Sequence, residues 1–158
     1  VRIRCRRLPA MPAGLLRRLG ALLYDTLLLL ALFMVATAIM LPLTGGEAIT
    51  PAGHPALEFV YRAVLLVMLV GFYGLFWTRR GQTLGMASWR LRVEREDGSL
   101  LTWTDTVRRL AAATVSLAAA GLGFLWILFD PERRAWHDRW TRTRVVLLPK
   151  GSTRPGAA

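Results

Sequence analysis

Three long apolar stretches, separated by blocks of charge, lay out the plan of the chain. Leu19 to Leu43 runs for 25 residues with Asp25 as its only charge. At ~1.5 Å per residue such a helix outruns the ~30 Å hydrocarbon core, which predicts a tilted membrane span. Pro42 and the Gly45-Gly46 pair end it. Leu57 to Thr78 predicts a second span, opened by the i,i+4 pair Glu58 and Arg62 at headgroup level and stopped by Trp77-Thr78-Arg79-Arg80. The third stretch, Leu110 to Phe129, holds 20 uncharged residues, but Gly121-Leu122-Gly123 interrupts it after eleven. A first limb from Leu110 to Ala120 would reach only ~16 Å, about half the core. The expectation is a re-entrant or broken helical segment. Backbone exposed at that turn needs a cover of protein, which the small faces Ala111 to Ala113 and Ala118 to Ala120 permit.

Between the second and third stretches the period changes. Leu91 and Val93 alternate with charged neighbours and are followed by Asp97-Gly98, a strand-and-hairpin signal, and Thr143 to Leu148 reads as another short strand. The fold class expected is an all-α membrane protein with two transmembrane helices, a re-entrant or broken third segment and a small cytoplasmic β-hairpin/strand element. Residues 1–14 read as a basic, disordered terminus and 149–158 as a disordered tail, around a membrane domain of 15–148. Val1 to Ala10, ahead of the first methionine, Met11, reads as an over-extended start.

Charge orients this scheme. The part before Leu19 carries +6, Thr44 to Arg62 −1, Thr78 to Arg109 +3, and everything beyond Phe129 +4. The rule of positive charge on the cytoplasmic side places the amino terminus, the 79–109 loop and the carboxyl tail inside. Re-entry of the third segment satisfies that order, whereas a full crossing would export the +4 tail. Pairing of the two strand segments would also require one side for both. A cleavable signal peptide, imitated by Arg17-Arg18 and Ala36-Thr37-Ala38, is excluded because the apolar run exceeds the ~7–15 residues of such a segment and contains an acid.

Composition narrows the chemistry. Across 158 residues, 54% are hydrophobic and the net charge is +11, with a mean hydropathy of +0.38. The charges lie in blocks between apolar runs, which removes soluble DNA-binding domains and nucleic-acid partners from consideration. One cysteine and two histidines leave no disulfide and no metal or cofactor site to expect. Trp77, Trp89, Trp103, Trp126, Trp136 and Trp140 stand at or just beyond span ends, as interfacial anchors do. An acid placed like Asp25, ~9 Å into an apolar helix, must take a proton or find a cation. Arg18, two turns earlier on the same face, is the expected partner. Gly81-Gln82-Thr83-Leu84-Gly85 lacks the Gly-Lys-Ser/Thr ending of a phosphate loop and reads as a tight cytoplasmic turn. Asp138, between His137 and Arg139, suits a local ion pair or helix cap. No constellation of nucleophile and base is present, so an enzyme is not expected.

Three segments in order carry a resemblance. Arg17-Arg18-Leu19-Gly20-Ala21-Leu22-Leu23-Tyr24-Asp25, then Gly81-Gln82-Thr83-Leu84-Gly85-Met86 with Leu91-Arg92-Val93, then Trp136-His137-Asp138-Arg139 with Val145-Val146, are similar to the RDD family of membrane proteins. Matched by position, the arginine and two aspartates of that name are Arg18, Asp25 and Asp138, with Gly81, Gln82, Thr83, Gly85, Arg92 and Arg109 as secondary candidates. Met86 departs from the pattern, since many members carry lysine there. The resemblance implies a multi-pass protein of the bacterial cytoplasmic membrane with no settled molecular activity, for which transport of a small ligand, cation or proton has been suggested. The alternative it implies is a scaffold or assembly factor for another membrane complex. Anionic headgroups, further copies of the chain or other membrane subunits are the partners expected.

Overall fold

A computed structural model describes residues 11–149; the remaining termini, including most of both segments expected to be disordered, lie outside the described residues. The first long helix, α1 (Leu15–Met40), runs on into a 3-10 turn, Leu41–Thr44. The second, α2, is Pro55–Arg79. Both are long and apolar enough to cross a membrane, and the residues they leave exposed, such as Met34, Ile39, Phe59 and Val67, are those a bilayer accepts. Opposite the sheet end, Thr37 and Tyr61 share a hydrogen bond of 2.8 Å between the two helices.

The third apolar stretch forms a bent pair, α4 (Trp103–Ala118) and α5 (Leu122–Leu125), with a 3-10 turn, Trp126–Leu128. The two limbs meet at 104°, and the break falls at Gly121, whose φ of +75° is costly for residues with a Cβ. The helix begins seven residues before the apolar run, because Thr102 and Asp105 form a reciprocal capping box at its start.

Three short strands lie together at one end of the helices. These are β1 (Met11–Pro12), β2 (Leu91–Arg95) and β3 (Thr143–Leu147), in the order β1-β3-β2 and antiparallel throughout. The segment before α1, the segment after α2 and the last strand therefore share one end. Residues 11–14, grouped by sequence with the basic terminus, enter this sheet, and Ala13 is fully buried. The hairpin is also corrected. The Asp97-Gly98 turn forms, with Gly98 N donating to Arg95 O at 2.9 Å, but β2 pairs with β3. The chain after the turn buries Leu101 and at once becomes the cap of α4, leaving no length for a returning strand. Leu91, Val93, Leu101 and Val145 form the core with Tyr73, Trp77 and Met86, each aliphatic side chain worth roughly 1.5–3 kcal/mol of burial.

Two short helices complete the layer, α3 (Leu84–Ser88) and α6 (Trp136–Trp140). Each precedes a strand by two residues, the second of which is a left-handed arginine: Arg90 (φ 56°) before β2 and Arg142 (φ 51°) before β3. The corners are related by 52 positions and a local two-fold axis through the Val93–Val145 pair. Equivalent hydrogen bonds recur. Arg90 N donates to Ala87 O at 3.0 Å and Arg142 N to Arg139 O at 3.3 Å. Across the axis, Leu148 N donates to Arg90 O at 2.8 Å and Glu96 N to Arg142 O at 3.2 Å. The long helices match as well, for Arg17-Arg18-Leu19 heads α1 and Arg108-Arg109-Leu110 lies in the opening turns of α4. Short helix, two-residue corner and strand are thus an internal repeat, each copy packed against a helix that carries Arg-Arg-Leu, α1 for the first and α4 for the second.

Candidate functional site

Asp138 is the hub of the α6 corner. As the third residue of α6 it accepts from the Ala135 amide at 3.1 Å, half of a capping box. Its Oδ2 also accepts from Arg18 Nη1 at 2.5 Å and its Oδ1 from Arg109 Nη2 at 2.5 Å. The two matched arginines of the repeat thus meet on one carboxylate, which is fully buried. Burial alone would raise its titration, but the charges of Arg109 and Arg18 overcome that and hold it well below the usual carboxylate range.

Both guanidinium groups are occupied further. Arg18 donates to Ala13 O at 3.2 Å and Arg133 O at 2.7 Å. Arg109 donates to Thr143 Oγ1 and lies over the Trp77 ring, 5.4 Å from its centroid. Trp77 is therefore buried beneath a cation, not placed as an interfacial anchor. His137 packs against Phe124 with ring centroids 4.7 Å apart and the planes tilted by 53°. Burial first, and the Arg109 charge second, push its pKa down to about 4, so it is neutral at pH 7 and its Nε2, 3.6 Å from Asp138 Oδ1, makes no ion pair. The His137 Nδ1 and Trp77 Nε1 atoms are buried without a hydrogen-bond partner.

Asp25 belongs to the other corner. Its expected pairing with Arg18 is overturned, because Arg18 is drawn to Asp138, 120 positions along the chain. Asp25 accepts instead from Thr83 Oγ1 at 2.5 Å and from the Gly85 amide at 2.9 Å. Thr83 in turn caps α3 by accepting from Met86 N at 3.2 Å. A Cβ on Gly85 would run into the Ala21 carbonyl oxygen, so only glycine lets α3 sit this close to α1. Asp25 is 3% exposed, and among the described residues it has no cationic partner.

The expected glycine-rich turn is thus an architectural seat for Asp25. Gly81 O accepts from Val93 N at 2.7 Å, and Gln82 Nε2 donates to Leu91 O at 2.6 Å, pinning the turn to β2. Arg92 stands apart, with its Nε unpartnered and no ion pair among the described residues. The two clusters open on one cavity of about 150 Å³, lined on its polar side by Asp25, Arg18, Arg109 and His137 and elsewhere by apolar groups including Tyr73, Trp77 and Met86. The model of the RDD family matches residues 12–142.

The chain belongs to the RDD family. The arginine and two aspartates of that name are brought within one site, but as a triad of Arg18, Asp138 and Arg109 beside a separate Asp25. No curated protein and no solved structure matches the chain. Arg109, a secondary candidate from sequence, and Thr143, which no motif marks, both belong to the site of this RDD protein. The signal for Arg109 was the repeated Arg-Arg-Leu, which aligns it with Arg18.

Proposed function

We infer that this RDD membrane protein is a small-ligand or cation/proton transport module, built into the bacterial cytoplasmic membrane and working as an oligomer. The observation that supports it is Asp25: a buried carboxylate, without a cation among the described residues, on a cavity at the root of the two long helices. Acids so placed in membranes mark pathways for protons, cations or charged ligands. One copy buries little of α1 and α2, so an enclosed path needs further copies. No catalysed reaction is part of this reading. Its orientation puts the sheet end, with the 79–109 loop and both termini, in the cytoplasm, as the charge order favours. A reporter active only in the periplasm, fused after Ala158, stays silent on this orientation.

Reconstitution into proteoliposomes with ion and pH readouts tests the transport reading. Flux that Asp25→Asn abolishes in a folded protein supports it, and no flux with any cation or pH gradient removes it. A second reading, a scaffold or assembly factor, is favoured by the Asp138 hub, where buried Asp138 and Arg109 and partly buried Arg18 serve architecture. Co-purification of a defined membrane subunit, lost when the exposed arginines of the sheet end are neutralised, would favour that role.

A further inference from the structure

The internal repeat exposes an imbalance. In the α6 corner an acid, Asp138, is answered by two arginines. In the α3 corner the position equivalent to Asp138 is Met86, and the acid, Asp25, comes from the long helix with only a hydroxyl and an amide to hold it. The corner has an acid and no base among the described residues, although Met86 and Asp25 line the same cavity. We propose that this cavity binds a small primary ammonium compound with a short apolar body, its nitrogen supplying the cation that the first repeat lacks at Asp25. The inference rests on the reading of the Asp25 cavity as a ligand site and names the class of ligand.

Three features select this class. Each Asp25 oxygen has one contact from Thr83 or Gly85, which leaves a lone pair on each for an N⁺–H donor. Charge-assisted bonds of that kind are about twice as strong as neutral ones. The surrounding wall is apolar and aromatic, with Leu22, Tyr73, Trp77, Met86 and Leu91, and suits a hydrocarbon chain and the face of a cation. A bare metal ion wants a shell of oxygens, and no three His, Cys, Asp or Glu side chains gather among the described residues. The cavity, about 150 Å³, is roughly ten times the ~10–15 Å³ that one water needs on the same measure, enough for a body of a few carbons.

The test uses the full chain in mild detergent, with n-butylammonium chloride as probe and n-butanol and sodium chloride as controls. Binding is read by tryptophan fluorescence and by the shift in thermal unfolding. Saturable binding of butylammonium, at least about tenfold weaker in Asp25→Asn, is expected, since loss of a charged hydrogen bond costs a factor of that order or more. Met86→Lys supplies an internal cation on the same cavity. It should raise the unfolding temperature and abolish butylammonium binding, which keeps the test valid if Asp25→Asn fails to fold. Equal binding of butanol, equal binding of sodium, or unchanged butylammonium binding in folded Met86→Lys would each overturn the proposal. Butylammonium binding without Asp25-dependent flux keeps this inference and removes the transport reading; Asp25-dependent flux of protons or sodium without butylammonium binding does the reverse.

Discussion

The α3 and α6 corners share a backbone down to matching hydrogen bonds, yet their helix starts are held by opposite means. At α3 the cap is a hydroxyl, Thr83, and the carboxylate of Asp25 arrives from α1. At α6 the carboxylate is part of the helix, and arginines arrive from α1 and α4. The first arrangement needs closeness, which Gly85 provides; the second needs charge, and tolerates a histidine at the position equivalent to Gly85. A repeated frame thus gives one corner an acid with two cations and the other an acid with no cation in contact with it among the described residues.

The largest expected effect comes from the corner with two cations. Asp138→Ala strands the buried Arg109 guanidinium and removes the carboxylate from the partly buried Arg18, and should cost on the order of 3–5 kcal/mol, read by denaturant or thermal unfolding in detergent. Asp25→Ala strands only a hydroxyl and an amide, and about 1–3 kcal/mol is expected. Similar losses from both would break the contrast.

Acid should act through the same corner. His137 has a folded-state pKa of about 4 against ~6.5 unfolded, so the unfolded chain binds the extra proton between those values and stability falls as pH drops through that window. The loss should be on the order of 2–3 kcal/mol. Depression of the Asp138 titration adds a loss in the same direction, beginning near the ordinary carboxylate range. Unfolding of His137→Gln should be nearly flat from pH 6.5 to 4.5; an unchanged slope would place the sensitive group elsewhere.

Steric contrast gives a smaller effect. Gly85→Ala forces α3 away from the Ala21 carbonyl and should cost about 1–3 kcal/mol, with weaker protection of the Met86 amide from hydrogen exchange. The smallest effect tests the two-fold itself. Arg90→Gly and Arg142→Gly each relieve a left-handed arginine, and each should change stability by under about 1 kcal/mol, equally within about 0.5 kcal/mol. A large inequality between them would show that the corners are alike in shape only.

Hydropathy made the spans legible because a bilayer acts on each helix separately, and Gly121 marked the break because its conformation is a local need. The strands are visible by alternation, and the pairing of the 91–95 and 143–147 segments, weighed from sequence, is found; what the Asp97-Gly98 signal overstates is a hairpin, because a turn alone does not supply a returning strand. Arg18 and Asp25 share a helix face, and that geometry is real; what decided the pairing was Asp138, whose approach depends on the whole fold. Two further local signals are in the sequence, the Thr102 to Asp105 cap that starts α4 and the second Arg-Arg-Leu at 108–110.

The strand order bears on how the chain is made. The middle strand of the sheet, β3, is the last element in the described chain, and α6 just before it carries the carboxylate shared by Arg18 and Arg109. A ribosome therefore delivers α1 and α2 to the membrane well before β1 and β2 have anything to bind between them. Until Thr143–Leu147 emerges, two unpaired strand edges and a pair of arginines wait together at one surface, an arrangement open to mispairing with another nascent copy. Completion of the final segment joins sheet, charge hub and both repeats in one step, so that a chain cut short before residue 143 would be a membrane-inserted intermediate and not a smaller version of the protein.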